Sequence, residues 1–471
     1  MKSDNLILKT DSYKMTHWKQ YPLGTEAVYS YFEARPGAEF DETVFFGLQY
    51  VMAKYLAGVV ITMEDIDEAE EFALAHFGTL EHWNRAGWEH IVNKHGGKLP
   101  IKIKAVPEGT RVPTGNVMMT VENTDMNCHW LTNYVETLLT HVWYGSTVAT
   151  LSRATKEMFM KYLDETAETH DALPFMLHDF GYRGVSSDEA AGVGGSAHLI
   201  NFMGTDTIMG MSHAIDNYGA SLDGLAYSVP ATEHSVMTSL GKAGEYQLLN
   251  QLLVDHPTGI LSVVSDSYDI YKMVDEVCRR REAIMARDGV FVVRPDSMTE
   301  DHKTPEDLSY CIVKTLWDTF GGTTNAKGYK TLDPHVRVLW GDGINKEGIE
   351  KILAGLKFNN FSVENMVFGM GGGLLQKVNR DTQRFAFKCA AQRRELMWYN
   401  ISKTPLDASK TSKAGRMKLI LTDEGYETVA EAADGEDVME VVFENGEITK
   451  SITFDEVREN SNAALKVATT A

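Results

Sequence analysis

The sequence predicts an α/β protein: an irregular, TIM-like β/α barrel joined to an accessory α/β lobe built from the N-terminal part and the C-terminal tail. Three observations carry this expectation. Seven apolar runs of strand character between Phe175 and Gly373 each end in a charged, hydroxyl or glycine residue, with helix-like stretches usually between them. The runs are apolar on both faces, as strands covered by helices in a parallel sheet must be, and closing such a sheet gives a barrel. At 471 residues the chain is too long for one ordinary core, so a second lobe is expected.

The elements follow in chain order. Within residues 1–145, strand-like runs at Ala27–Phe32, Ile101–Val106 and Asn116–Val121 accompany an acidic helix around Met63–His76, and Trp130–Tyr144 reads as a buried helix leading into the barrel. The barrel, residues 146–388, takes its strands from Phe175–Leu177, Leu199–Met203, Leu225–Val229, Ile260–Val264, Val290–Val293, Val336–Trp340 and Asn365–Phe368. Helix punctuation agrees. Ser186 and Glu189 form a capping-box pattern, Thr304-Pro305 a cap with proline at the first helical position, and Asn345 a cap for the stretch through Phe358. Gly289 stands where the 267–288 segment needs a C-terminal glycine. Residues 389–471 return to the accessory lobe through a lysine-rich stretch, Lys403–Lys418, and strand-like Lys418–Thr422 and Val438–Asn445, before a terminus at Ala463–Ala471 expected to fray.

Composition narrows the function classes. A formal charge of −21 argues against phosphate-backbone binding, which needs a net or clustered positive field, so nucleic acid is not an expected partner. No stretch approaches the roughly 20 consecutive apolar residues of a membrane span, and the start, Met1-Lys2-Ser3-Asp4-Asn5, has no signal-peptide pattern. Cys128, Cys278, Cys311 and Cys389 lie far apart without metal-like pairing and read as reduced residues of a cytoplasmic protein.

In a parallel barrel the residues just past the strand ends share one mouth. Gly371, Gly372 and Gly373 before helical Leu374–Lys377 put bare backbone N–H groups at a helix start, a phosphate-binding arrangement that falls late in the strand order, where barrels commonly grip phosphate. Asp266, Asp296 and Asp342 follow three successive strands and can bind sugar hydroxyls, hold magnesium or favour a cationic sugar-like transition state; each could also cap its helix. Arg183, Arg294, Arg380 and Lys388 supply cations on or near the strand tips. Together these features point to a phosphorylated sugar and a metal.

Long motifs then identify a resemblance. Thr10–Lys14, Tyr29–Glu33, Lys104–Gly109, Val121–Asp125, His178–Ser187, Gly204–Thr207, Tyr227–Pro230, Glu233–Ser235, Val263–Tyr271, Arg294–Ser297, Gly341–Gly343 and Gly371–Lys377 resemble the nicotinamide phosphoribosyltransferase family, of type II phosphoribosyltransferase fold, almost end to end. The resemblance implies transfer of phosphoribosyl from phosphoribosyl pyrophosphate to nicotinamide with Mg2+ present, in a homodimer with active sites at the subunit interface. It implies that Phe180 and Arg183 sandwich the pyridine ring, that Asp206 accepts from its amide, and that Asp11 and Tyr13 come from the second subunit. Arg294, Gly371, Gly372 and Arg380 fall at phosphate positions. Asp266, Asp296, Asp342 and neighbouring Gly341 fall at ribose positions, with Asp296 and Asp342 as metal ligands. Arg35, Lys388 and His234 fall at pyrophosphate or ATP positions, with His234 phosphorylated from ATP.

Residue chemistry is compatible with these roles. A pyridine stacks well between an aromatic face and a guanidinium. The charge on Asp206 repels nicotinate while accepting from nicotinamide, so one carboxylate selects amide over acid; as a plain alternative, Asp206 caps the 207–218 helix. A shorter stretch after Arg35, Phe175 in place of a tyrosine, and Met370 in place of a serine depart from the family pattern.

Overall fold

The computed structural model describes residues 4–403 and 411–463. The terminal residues 464–471 and part of the lysine-rich stretch, 404–410, therefore lie outside the described residues. Two compact units divide the chain: Met1–Thr150 with His213–Ala220 and Asn379–Ala471, and Leu151–Ser212 with Ser221–Val378.

The first unit is built on a seven-stranded sheet in the order Met397–Asn400, Phe385–Arg394, Thr25–Ala34, Val117–Asn123, Ile101–Ala105, Glu440–Glu444, Glu447–Ile448. Every pairing in it is antiparallel. Thr25–Ala34 is buried along almost its whole length, which explains why its sequence shows no polar alternation. Its Phe32 stacks on Phe385 of the neighbouring strand at 5.1 Å between ring centroids. The acidic helix is Met63–Phe77, started by a complete capping box between Thr62 and Asp65. The expected helix over 130–144 is instead broken into Leu131–Tyr134, Glu136–Thr140 and the beginning of the long helix Val142–Thr166.

The second unit holds a curled parallel sheet of six strands in the order Gly204–Thr205, Leu177–Asp179, Met366–Met370, Val336–Trp340, Phe291–Arg294, Leu261–Val264. Two of the seven expected strands are corrected. Leu199 ends the helix Asp188–Leu199, and the strand that follows is only Gly204–Thr205. Residues 225–229 form no strand; Tyr227 bridges Gly204, and further on Ala231 bridges Ser262, both parallel.

Local signals also shift. Ser187, not Ser186, caps the helix Asp188–Leu199, accepting from the Ala190 N–H at 3.1 Å. Thr304 and Asn345 cap as expected, accepting from the Asp307 and Gly348 N–H groups. Gly289 is not a helix C-cap. The preceding helices are Ile270–Arg279 and Arg281–Met285, and a Cβ on Gly289 would lie 1.9 Å from the Gly259 carbonyl oxygen, so close backbone approach requires the glycine. Among the described residues no helix is long and apolar enough to cross a membrane. All four cysteines are free.

Candidate active site

Parallel strands deliver their carboxyl ends to one edge of the sheet, and the second unit gathers its polar residues there. Leu177–Asp179 leads into Phe180, Gly204–Thr205 into Asp206, Leu261–Val264 into Asp266, Phe291–Arg294 into Asp296, Val336–Trp340 into Gly341 and Asp342, and Met366–Met370 into Gly371. A cavity of about 380 Å³ opens among these strands, lined by Phe180, Asp206 and Arg294 together with His178, Ser228 and Arg337.

Phe180 occupies a shaped seat. Its N–H donates to the Met370 carbonyl at 3.0 Å. A Cβ on Gly369 would lie 1.9 Å from its ring, and one on Gly341 would lie 3.5 Å away, so glycines on two neighbouring strands leave room for the aromatic face. Asp179, fully buried, accepts from the Gly181 N–H at 2.7 Å and so fixes the turn that carries Phe180 and the exposed Arg183. Burial pushes the Asp179 carboxyl up to about 6. Gly184 in the same turn comes close to Gly372: a Cβ placed there would be 3.7 Å from the Gly372 Cα.

Asp206 does not spend its side chain on the helix Ile208–Tyr218. Its Oδ1 accepts from the Ser228 hydroxyl at 2.5 Å and stands 3.8 Å from His178 Nε2. Burial lowers the pKa of His178, which keeps that imidazole neutral at physiological pH.

A second constellation surrounds His234. Its Nε2 lies 3.0 Å from Asp266 Oδ1, and its Nδ1 lies 3.9 Å from Asp296 Oδ2. Ser297 donates to the other Asp266 oxygen. Burial raises the Asp296 pKa; Arg294 and His234 oppose the shift, while Asp266 and Asp342 reinforce it. Asp296 therefore lies within electrostatic reach of both Asp266 and Asp342. Arg294 Nη2 donates to the Thr232 carbonyl at 2.7 Å, while its buried Nε has no hydrogen-bond partner among the described residues. The helix after the glycines is a single turn, Gly372–Leu375, with Gly371 as its N-cap. Its contribution to anion binding rests on free N–H groups rather than on a developed helix dipole.

The remaining expected residues belong to the first unit. Lys388 lies inside the strand Phe385–Arg394, not at a parallel-strand tip. Burial lowers its pKa; Glu136 opposes this, while Lys403, Arg35 and Arg380 add to it, so these four cations form a group of their own. Arg35 is held by the Arg384 carbonyl at 3.0 Å. Asp11 accepts from the Thr137 hydroxyl at 2.9 Å, and Tyr13 is 57% exposed, meeting His17 edge-on.

Sequence reasoning gave no role to His178, Ser228, Asp179 or Arg337. The first three lie in or beside quoted motifs, so a signal existed. Arg337 had none: it lies within a strand, donating to the carbonyls of Leu332, Asp333 and Val336.

Residues 5–103 match the family model described as nicotinamide phosphoribosyltransferase, N-terminal domain, and residues 175–447 match that of the nicotinate phosphoribosyltransferase family. A nicotinamide phosphoribosyltransferase of Xanthomonas campestris pv. campestris is 44% identical, covering 98% of this chain and 99% of the relative. One of Acinetobacter baylyi is 33% identical over 97% and 96%. Among solved structures, the nicotinate-nucleotide pyrophosphorylase of Pyrococcus furiosus superposes with a TM-score of 0.60 at 15% identity, over 98% of this chain and 96% of that one. Human nicotinic acid phosphoribosyltransferase gives 0.55 at 15%, over 96% and 92%. At such identities the likeness is one of fold.

Proposed function

The chain belongs to the nicotinate phosphoribosyltransferase family, within which its full-length relatives are nicotinamide phosphoribosyltransferases. From that premise we propose that it transfers the 5-phosphoribosyl group of 5-phosphoribosyl-1-pyrophosphate to the ring nitrogen of nicotinamide, giving nicotinamide mononucleotide and pyrophosphate. The observation that carries this reading is the shared cavity of Phe180, Asp206 and Arg294: a ring face, an amide acceptor and a phosphate-binding cation.

The pyridine stacks between Phe180 and Arg183, and Asp206, held by Ser228, accepts from the amide. Its charge disfavours the acid. The ring nitrogen of neutral nicotinamide carries a free lone pair, so positioning replaces base catalysis. As the ribose–pyrophosphate bond breaks, positive charge grows on the sugar, where Asp266, Asp296 and Asp342 oppose it. Arg294 and the Gly371 and Gly372 N–H groups receive the 5-phosphate. The closeness of Asp296 to the Asp342 charge makes this pair suitable oxygen ligands for Mg2+, which, held by Asp296 and Asp342, would neutralise charge on the departing pyrophosphate.

His234 accepts a phosphoryl group from ATP in this proposal. Asp266 holds Nε2, which leaves Nδ1 as the reacting nitrogen. Asp11 and exposed Tyr13 complete the partner site of a homodimer. Residues 227–232 act as a further stave that closes the curled sheet into an irregular barrel, a reading supported by the bridges at Tyr227 and Ala231.

The test is product identification after incubation with phosphoribosyl pyrophosphate, Mg2+ and each pyridine. Nicotinamide mononucleotide and pyrophosphate should form in equal amounts. Preferential formation of nicotinate mononucleotide, or no pyrophosphate with either ring, would overturn the assignment.

A further inference from the structure

Two histidines and one carboxylate converge in the first unit, away from every residue given a role above. His90 and His95 belong to the helix Arg85–His95, and Asp125 lies in the turn after the strand Val117–Asn123. His90 Nε2 is 2.9 Å and His95 Nε2 2.8 Å from the same Asp125 oxygen, Oδ2, and the three donor atoms lie within 4.8 Å of one another. The rings are 5.7 Å apart at 69° to each other. We propose that His90, His95 and Asp125 form a binding site for a divalent transition-metal cation of the zinc class.

The chemistry of the donors selects that class. Imidazole nitrogen with a carboxylate oxygen suits zinc, cobalt and nickel, whereas calcium and magnesium call for oxygen alone. Bonds of about 2.0–2.1 Å set donor atoms about 2.9 to 3.4 Å apart around such a cation. The two His–Asp separations therefore need to open by only a few tenths of an ångström, while the two Nε2 atoms, within 4.8 Å of each other, come to about 3.4 Å or less. The carboxylate is fixed for the purpose: Oδ1 accepts from the Asn127 N–H at 2.9 Å and from Asn127 Nδ2 at 3.1 Å, which leaves Oδ2 for the site. That outer hydrogen bonding orients a ligand as metal sites require. Asp125 is nearly buried, while the histidine side chains remain 27% and 22% exposed, so the site has a solvent entrance and open coordination positions.

Lys94 is the present counter-charge. Its Nζ stands 3.1 Å from Oδ2, but the side chain is 58% exposed and can swing into water. Metal binding replaces the ammonium and uses both Nε2 lone pairs, with the ring protons carried on Nδ1. The site would tie the last turn of the helix to the turn at residue 125, two segments already joined by the histidine hydrogen bonds and the Lys94 ion pair.

Metal-free full-length protein is titrated with Co2+ in the visible region, then with Zn2+. One cobalt equivalent per chain should give ligand-field absorption that zinc abolishes. His95→Ala and His90→Gln should each weaken binding by more than the roughly 10- to 100-fold associated with outer-sphere partners, and Lys94→Ala should tighten it. Matching far-UV circular dichroism of the metal-free variants keeps a loss attributable to the ligand. Absence of cobalt binding, or a spectrum equal in the native chain and His95→Ala, would overturn the proposal.

Discussion

Replacing Asp206 with asparagine isolates the charge that the account makes responsible for choosing amide over acid. In the native chain, nicotinate bound with its carboxylate against Asp206 would bring two like charges to about 4 Å, a repulsion of about 4 kcal/mol at an effective dielectric of about 20 and about 1 kcal/mol in bulk water. The Asp206 side chain is 48% exposed, which places it between those limits. A value of about 2 kcal/mol corresponds to roughly 30-fold in relative kcat/KM. The asparagine oxygen still accepts from the amide and from Ser228, so turnover of nicotinamide should fall less, by about 10-fold at most, as a charged acceptor becomes neutral. Steady-state kcat/KM for each pyridine, taken on the same preparation, gives the ratio. It should shift toward the acid by at least about 30-fold; a shift below about 3-fold, under 1 kcal/mol, would refute the electrostatic reasoning.

Other outcomes follow from the same geometry. Gly369→Ala forces the Phe180 ring from its seat, since the new methyl would lie 1.9 Å away; overpacking of this kind costs about 1–3 kcal/mol, and KM for nicotinamide should rise more than kcat falls. Asp179→Asn keeps the acceptor for Gly181 but removes a carboxylate that folding holds near 6 against about 3.9 unfolded. The raised folded value means that the native form binds this proton more tightly, so the stability it confers is lost as pH rises from about 4 through about 6. The Tm difference, variant minus native, should be positive at neutral pH and vanish near pH 4. His234→Ala should abolish ATP hydrolysis and ATP stimulation while ATP-independent mononucleotide formation persists; retention of full stimulation would remove His234 from that role.

The parallel sheet was legible where a strand is buried on both faces and long enough to show it. Val336–Trp340 coincides with its apolar run, Leu261–Val264 starts one residue later than expected, and Phe291–Arg294 is shifted by one residue. The run at 199–203 misled because it joins the last residue of a helix buried on nearly all sides to the apolar turn that leaves it; within that helix Gly195 packs against Gly210, and a Cβ on Gly210 would lie 2.6 Å from the Gly195 carbonyl carbon. Buried helix and buried strand carry the same composition over five residues. Gly204–Thr205 is too short to announce itself. At the site, Asp206 and Arg294 could be placed at strand ends from the rhythm of the chain. The inward positions of His178 and Arg337 could not, because a strand apolar on both faces does not reveal which side lines a cavity. Lys388 was misplaced for a related reason. It follows the last parallel strand in sequence, yet the chain has by then joined an antiparallel sheet, where Lys388 pairs with Tyr31.

The central claim is that strand ends of one curled sheet surround one nucleotide. A crystal structure of the chain with nicotinamide mononucleotide tests it directly. The account predicts the pyridine against Phe180, the amide nitrogen within hydrogen-bond distance of Asp206, and the phosphate at Arg294 and the Gly371–Gly372 backbone. A nucleotide bound elsewhere, or with its phosphate at Asp206 and its ring at the glycines, would contradict it.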